Sequence, residues 1–392
     1  MSRSELQQPV SAGVIAMVVG YTSSFAVVLT GLAAVGADRH EAASGLLALC
    51  LTQAVGVIWL SRRHRIPIVL AWSTPGAALL AGMSAVDGGW PAAVGAFMLA
   101  GAAYALTGFW PVLGRLVARI PTPIAQAMLA GVVLDLCTKP VKSLVDNPAA
   151  IVPIVLVWLI GVRLAPRWAV PAAFVAAGIV IGIDMIRRGE GIASSALLPE
   201  VSLTWPALSW EAVVGIALPL YIVTMASQNV PGVAIMKSLG YQVPWRDTIV
   251  TTGVATLAGA PAGAHSVNLA AISAALAAGP DAGPDKSRRW IASQSAGVTY
   301  VVLGASSAAL AALVAVAPAG VIATVAGLAL LGTLADSLEG SMSQRKGREA
   351  AVATFLVAAS GITAYGIGSA AWAIVAGLVV HAVLDWTPKR RG

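Results

Sequence analysis

The stretch Ile66-Pro67-Ile68-Val69-Leu70-Ala71-Trp72-Ser73-Thr74-Pro75-Gly76-Ala77-Ala78-Leu79 decides the fold. It is apolar enough to enter a membrane, yet two prolines and a polar pair interrupt it. Ser73 or Thr74 is a good helix N-cap, and Pro75 suits a first helical turn. The pattern predicts an extended lead-in followed by a half-helix that starts inside the membrane. In hydrocarbon, irregular backbone survives only where it lines a cavity or is buried in protein. A second stretch, Ala260-Pro261-Ala262-Gly263-Ala264-His265-Ser266-Val267-Asn268-Leu269-Ala270-Ala271-Ile272, repeats the order. It has a proline, small or apolar residues, a polar cluster near 266–268 and then an apolar helical run. Either stretch alone reads more plainly as a proline-kinked helix with ordinary caps. Two of them at matched positions favour a pair of half-helices, a pattern of secondary transporters.

Composition places both stretches in a bilayer. Hydrophobic residues make up 58% of the 392 residues and charged residues only 10%, with mean hydropathy +0.84. Soluble domains carry about 25% charged residues. A soluble enzyme, a secreted disulfide scaffold and a disordered tail protein are excluded. Cys50 and Cys137 both lie in apolar segments and suggest no disulfide framework. The net charge of +7 sits in short loops, which points to membrane topology and not to nucleic acid.

Apolar blocks between charged or Pro/Gly-rich breaks predict about fourteen helices. The first seven lie near 12–35, 43–60, 66–83, 91–113, 122–137, 149–164 and 169–186. The second seven lie near 211–230, 246–260, 263–279, 290–314, 318–335, 349–366 and 369–386. Segments such as Ala92–Leu106 do not alternate as barrel strands would, so the fold class is all-α and polytopic. The polar stretch 187–210 divides the chain into 1–195 and 196–392. Seven is odd, so the second half enters the membrane from the opposite side, as an inverted repeat.

Basic residues set the orientation. With a cytoplasmic N-terminus, the cytoplasmic loops hold Arg62, Arg63, Arg65, Arg115, Arg119, Arg163, Arg167, Lys237, Arg246, Lys286, Arg288, Arg289, Arg345, Lys346 and Arg348. The tails add Arg3, Lys389, Arg390 and Arg391, so both termini are placed in the cytoplasm. Only Arg39, Lys139, Lys142, Arg187 and Arg188 fall on the other side. Val35-Gly36-Ala37 resembles a signal-peptidase site. The apolar stretch before it exceeds the roughly 7–15 residues of a signal-peptide core, so it reads as a retained span.

Two facing half-helix starts would present backbone N–H groups and positive dipole ends, which suits an anion and above all a carboxylate. The candidate substrate-binding residues are Tyr21, Ser23, Ser24 and Phe25 in the first span and Trp72, Ser73, Thr74, Pro75 and Gly76 in the third. Gln228 and Asn229 follow in the eighth, with His265, Ser266, Val267 and Asn268 in the tenth. Serines and threonines also glue membrane helices together, and Tyr21, Phe25 or Trp72 can flank a ring or simply pack. Adjacent amides in an apolar span are costly without partners. His265 is the proton-coupling candidate because histidine titrates near neutral pH, though a lone histidine also serves to hydrogen-bond a neighbouring helix. His381 has the weaker case, and His40 and His64 are loop residues. No H-E-x-x-H, paired carboxylates or Cys/His cluster marks a metal site, a cofactor or an enzyme, and no charged ring marks a channel.

The blocks G-Y-T-S-S at 20–24, W-S-T-P-G-A-A at 72–78, T-M-A-S-Q-N-V-P-G at 224–232 and G-A-H-S-V-N-L-A at 263–270 resemble the benzoate/proton symporter (BenE-type) family over essentially the whole chain. That family is similar to the uracil-permease and sulfate-permease/anion-exchanger class. The resemblance implies a seven-plus-seven inverted repeat, with a core domain from spans one to four and eight to eleven. Spans five to seven and twelve to fourteen would form a gate domain. It implies uptake of benzoate or a similar aromatic carboxylate with a proton, by a homodimer in a bacterial inner membrane. Another small anion, such as sulfate, bicarbonate or a dicarboxylate, is the alternative substrate. Uracil-permease-like proteins place glutamates in the eighth and tenth spans, where this chain has Gln228, Asn229 and Asn268. Amides suit an anion, but they leave the proton to His265 or to the substrate itself.

Overall fold

Backbone groups without partners are expensive in hydrocarbon, so an apolar chain becomes helical wherever its sequence allows. The computed structural model describes residues 3–83, 87–110, 112–113, 120–345 and 347–384. Arg115, Arg119, Lys346, Lys389, Arg390 and Arg391, which the orientation argument uses, lie outside the described residues. The first half comprises α1 (Arg3–Ala34), α2 (Arg39–His64), β1 (Leu70–Trp72), α3 (Thr74–Ala81), α4 (Gly89–Phe109), α5 (Thr122–Asp146), α6 (Pro148–Leu164) and α7 (Ala169–Arg188). The second half begins with α8 (Trp210–Ser238), α9 (Trp245–Gly259), β2 (Val267–Leu269) and α10 (Ile272–Ala278). It continues with α11 (Trp290–Gly304), α12 (Ser307–Ala315), α13 (Val321–Met342), α14 (Arg348–Ala359), β3 (Thr363–Ala364), β4 (Ile367–Gly368) and α15 (Ser369–Leu384). Among the described residues, seven helices are long and apolar enough to cross a membrane, or eight if the bent pair α11–α12 is one span. Cys50 and Cys137 are buried free thiols.

The predicted segments fall on these elements, but several ends differ for identifiable reasons. The fifth segment continues past 137 to Asp146. Lys139 and Lys142 meet Asp135 at 3.2 and 3.5 Å on an exposed face. The eighth was expected to stop before Pro231, yet α8 runs on to Ser238. Two widened π turns, Val213–Ala217 and Met225–Asn229, each end two residues before a proline, Pro219 and Pro231. A wide turn accommodates a ring that lacks an N–H and would clash with the preceding turn of a regular helix. The eleventh segment bends by 47° after Gly304, where the Ser306 hydroxyl donates to the Leu303 carbonyl at 2.6 Å. The thirteenth ends at Ala359, not 366. Tyr365 and Gly366 both have positive φ and form the two-residue turn of the β3–β4 hairpin.

The largest correction concerns the tenth segment. Its helix starts at Ile272, several residues after the polar cluster at 266–268. Val267, Asn268 and Leu269 form β2 instead, antiparallel to β1 in the register Leu70↔Leu269, Ala71↔Asn268 and Trp72↔Val267.

Helices from before and after the 187–210 linker pack on one another. α4 lies along α9, α2 lies along α11, and α5 lies along α13. Close approach needs small residues in a membrane protein. A Cβ on Gly253 would collide with the backbone of Ala105 in α4, and one on Gly297 would collide with Ile58 of α2. A large apolar core runs through these helices. A second, smaller core joins α6, α7 and α13 through Ile151, Ile154, Ile181, Val325 and Leu328. The linker after α7 crosses the first half as an extended strap. Its Ser202 and Thr204 amides donate to Ser44 Oγ and the Pro261 carbonyl at 2.9 and 2.8 Å.

Candidate functional site

Two short strands in the middle of a membrane protein have outer edges that must find partners. Between the strands, the Ser73 amide donates to the Ser266 carbonyl at 3.1 Å and the Ala270 amide to the Val69 carbonyl at 2.9 Å. The outer edges are satisfied by side chains. Asn229 Oδ1 accepts from the Leu269 amide at 2.8 Å, and Thr256 Oγ1 accepts from the Val267 amide at 2.9 Å. The Tyr300 hydroxyl donates to the Leu70 carbonyl at 3.1 Å. Asn229 Nδ2 turns to the Met225 sulfur at 3.2 Å.

Each strand leads into a short helix, and the antiparallel pairing sends the two helices in opposite directions. Ser73 caps α3, its Oγ accepting from the Gly76 amide at 3.0 Å. A hydroxyl chain stands behind that cap. Thr224 donates to Ser73 Oγ at 2.8 Å, while Ser266 Oγ lies 3.4 Å from Thr224 and 3.0 Å from the Tyr104 hydroxyl. His265, fully buried, holds the Ser73 carbonyl through Nε2 at 3.1 Å. That bond puts the proton on Nε2. Nδ1 then has no partner among the described residues, and neither does Asn268 Oδ1. α10 starts without a side-chain cap at Ala271. Its far end is held by the buried Arg289, which donates to the Ala278 and Gly283 carbonyls at 2.7 and 2.8 Å.

A cavity of about 270 Å³ lies against the starts of both half-helices. Of the residues singled out in the sequence, Ser23, Ser24, Trp72, Thr74, Pro75 and Gln228 line it. The Trp72 indole N–H donates to Ser24 Oγ at 2.9 Å, which fixes the ring. Tyr21 and Phe25 stand behind this wall. The Tyr21 ring meets Trp72 edge-on at 5.4 Å, and Phe25 stacks on Tyr21 at 5.9 Å. Ser73, Gly76, Asn229, His265, Ser266, Val267 and Asn268 form the strand-and-cap scaffold and do not reach the cavity wall. Sequence reasoning missed Ser273 and Tyr300 on the half-helix side. It also missed Val170 of α7 with Ala329 and Thr333 of α13, which form the opposite wall. Correct placement of the α10 start would have pointed to Ser273, the counterpart of Thr74 and Pro75. No charged side chain lines the cavity among the described residues, and no cluster of three potential metal ligands occurs among them.

Comparison with known proteins places the chain in a family. A family model for the benzoate membrane transport protein BenE matches residues 5–383. The chain belongs to the BenE family. Inner membrane protein YdcO of Escherichia coli (strain K12) is 39% identical over 385 residues, 97% of this chain and 96% of that protein. The benzoate membrane transport protein of Acinetobacter baylyi is 29% identical over 373 residues, covering 95% of this chain and 94% of that one. In three dimensions this BenE-family chain resembles the transmembrane domain of the cyanobacterial bicarbonate transporter BicA. The TM-score is 0.62 at 15% identity, covering 96% of this chain and 98% of that one. It also resembles the murine anion transporter Slc26a9 in its inward-facing state, with TM-score 0.63 at 14% identity, over 98% of this chain and 69% of that one. The BenE-family chain is thus a helical membrane transport protein with the fold of these transporters.

Proposed function

We propose that this protein imports a benzoate-like aromatic carboxylate together with a proton, by alternating access. The observation that carries the proposal is the cavity between the half-helix starts. Among the described residues its lining carries no charge, it offers the Ser23, Thr74 and Ser273 hydroxyls and the Gln228 amide, and it is flanked by Trp72 and Tyr300. An aromatic ring suits the two aromatic faces. A carboxylate suits hydroxyl and amide donors beside the positive end of α3. Tyr21, Phe25, Ser73, Gly76, Asn229, His265, Ser266, Val267 and Asn268 then shape the site from behind.

The elements are read as fourteen membrane crossings in two inverted repeats, 1–195 and 196–392. The exchange-symmetric packing of α4 on α9 and α2 on α11, with β1 against β2, supports that reading. The core comprises the first to fourth and eighth to eleventh spans. The gate comprises the rest, and the separate apolar cluster of α6, α7 and α13 supports a distinct gate. The protein is assigned to a bacterial inner membrane, with both termini cytoplasmic, as a homodimer.

Drawing one negative charge into a negative interior costs about 2.3 kcal/mol per 100 mV, which one co-transported proton cancels. The test is labelled-benzoate uptake into proteoliposomes under an imposed pH gradient. Gradient-driven accumulation is expected, and uptake indifferent to the gradient overturns the coupling. Full coupled accumulation by His265→Ala assigns the proton to the substrate carboxyl, and gradient-driven accumulation lost while benzoate exchange without a gradient persists assigns it to His265. Transport of another small anion is the second reading, favoured by the shared fold with a bicarbonate transporter. Competition by bicarbonate or sulfate, with none by benzoate, selects it.

A further inference from the structure

Away from the central site, α2 and α9 leave a groove of about 510 Å³ between them on the outer surface. Leu51, Val55 and Trp59 form one side, and Val250, Val254 and Ala258 form the other. The lining is almost wholly apolar, and Val55 is 70% exposed. One end of the groove is basic. Arg62 and Arg63 follow Trp59 by three and four residues and so continue the same face of α2. Arg246 precedes Val250 by four and continues the face of α9. Asp247 at this end is already engaged by Arg63 at 3.4 Å and His64 at 3.0 Å. Arg62 and Arg246 are left as exposed cations, Arg246 lying 4.9 Å over the Phe109 ring. From Leu51 to Arg62 the helix rises about 17 Å at ~1.5 Å per residue. That is roughly half of a hydrocarbon core ~30 Å thick, the depth of one leaflet.

We propose that this groove is a binding site for an anionic phospholipid, with one acyl chain between Val55 and Val254 and the phosphate at Arg62 and Arg246. A tail-length apolar channel with a cationic end matches that molecule and not a zwitterionic one, whose headgroup carries its own positive charge. A second copy of the chain fits less well. Two copies related by an axis along the membrane normal would set their Arg62–Arg246 ends at the same depth, like charge toward like. Trp59, 46% exposed near the polar end, has the position of an interfacial aromatic anchor. The proposal does not depend on what the central cavity carries.

The test uses the full chain in vesicles with brominated acyl chains, comparing phosphatidylglycerol with phosphatidylcholine at matched mole fractions. The Trp59 signal is isolated by subtracting the emission of Trp59→Phe, since the chain has 12 tryptophans. Phosphatidylglycerol is expected to quench Trp59 at a lower mole fraction, the preference being roughly five-fold for each arginine near the headgroup. Arg62→Gln with Arg246→Gln is expected to abolish the preference, and Val254→Phe to fill the groove and reduce quenching of Trp59 by both lipids. Native mass spectrometry of the unmodified protein provides a check free of variants, in which retained phosphatidylglycerol is expected. Equal quenching by the two lipids overturns the proposal, as does a preference that survives the double substitution. A dimer that Val254→Phe dissociates, with lipid quenching unchanged, assigns the groove to a second copy and also overturns it.

Discussion

Gln228 and Asn229 are neighbours with the same functional group and opposite surroundings. Gln228 reaches the cavity, while Asn229 is fully buried and accepts the Leu269 amide. Their substitution should therefore separate binding from folding. If Gln228 donates to the substrate as proposed, Gln228→Ala removes about 1 kcal/mol of binding and is expected to raise the half-saturation concentration for uptake roughly five-fold. Its melting temperature should stay close to wild type. Asn229→Ala leaves a buried amide unsatisfied at about 1–3 kcal/mol, so it should lower the melting temperature before it changes affinity. Parallel uptake kinetics and thermal melts of the two variants check this, and a reversed pattern would refute the assignment. The sequence marked both amides as costly, and the structure gives Asn229 its partners. The sequence did not reveal which one faces the cavity, because both sit on a π turn whose side-chain directions depart from ordinary helical spacing.

The two half-helices show why one start was legible and the other was not. α3 begins with Ser73-Thr74-Pro75-Gly76, where the cap side chain, the proline and the close approach to Leu220 all agree. α10 begins after Ala271, which has no side-chain oxygen, so no local signal marks it. The polar cluster His265-Ser266-Val267-Asn268 looked like a cap but serves the strand pair and the hydroxyl chain. Ser73→Ala is expected to cost about 1 kcal/mol of cap energy. It also removes the acceptor used by Thr224. Both stability and uptake should fall, and Ser73→Asn should restore the melting temperature; failure of that rescue would show the cap to be dispensable. At the other end of α10, Arg289 joins two carbonyls that the sequence pattern assigned merely to a basic loop. A guanidinium fork can serve both carbonyls at once and a lysine cannot do so with the same geometry. Arg289→Gln is therefore expected to lower the melting temperature most and Arg289→Lys by less. Equal melts for the wild type and both variants would remove Arg289 from the fold's support.

At the scale of the whole molecule, the sparse charges and long apolar runs made the helical membrane fold legible. The proposed matching of the halves rests on the shared order of residue types in their two broken segments. The opposite wall of the cavity was not legible, since Val170, Ala329 and Thr333 are ordinary residues of apolar helices. Only the packing of α7 and α13 against α1 brings them to the site. That wall is where alternating access makes its strongest demand. If the two sides of the cavity slide past one another during transport, a covalent tie between them must stop the cycle. Ser23 on α1 and Thr333 on α13 line the cavity from opposite sides and are each partly exposed. In a background with Cys50 and Cys137 replaced by alanine, Ser23→Cys with Thr333→Cys can be joined by a short bifunctional thiol reagent. Cross-linking is expected to reduce uptake at least ten-fold, and a reducible cross-linker should allow recovery on reduction. Each single-cysteine variant treated alike is expected to keep more uptake than the cross-linked pair, although a reagent on Ser23→Cys sits in the cavity and lowers uptake in part. Excess benzoate should change the rate of cross-linking by holding the walls at one separation. Complete cross-linking with undiminished uptake would mean that the two walls move as one body, and the transport path would then have to open elsewhere.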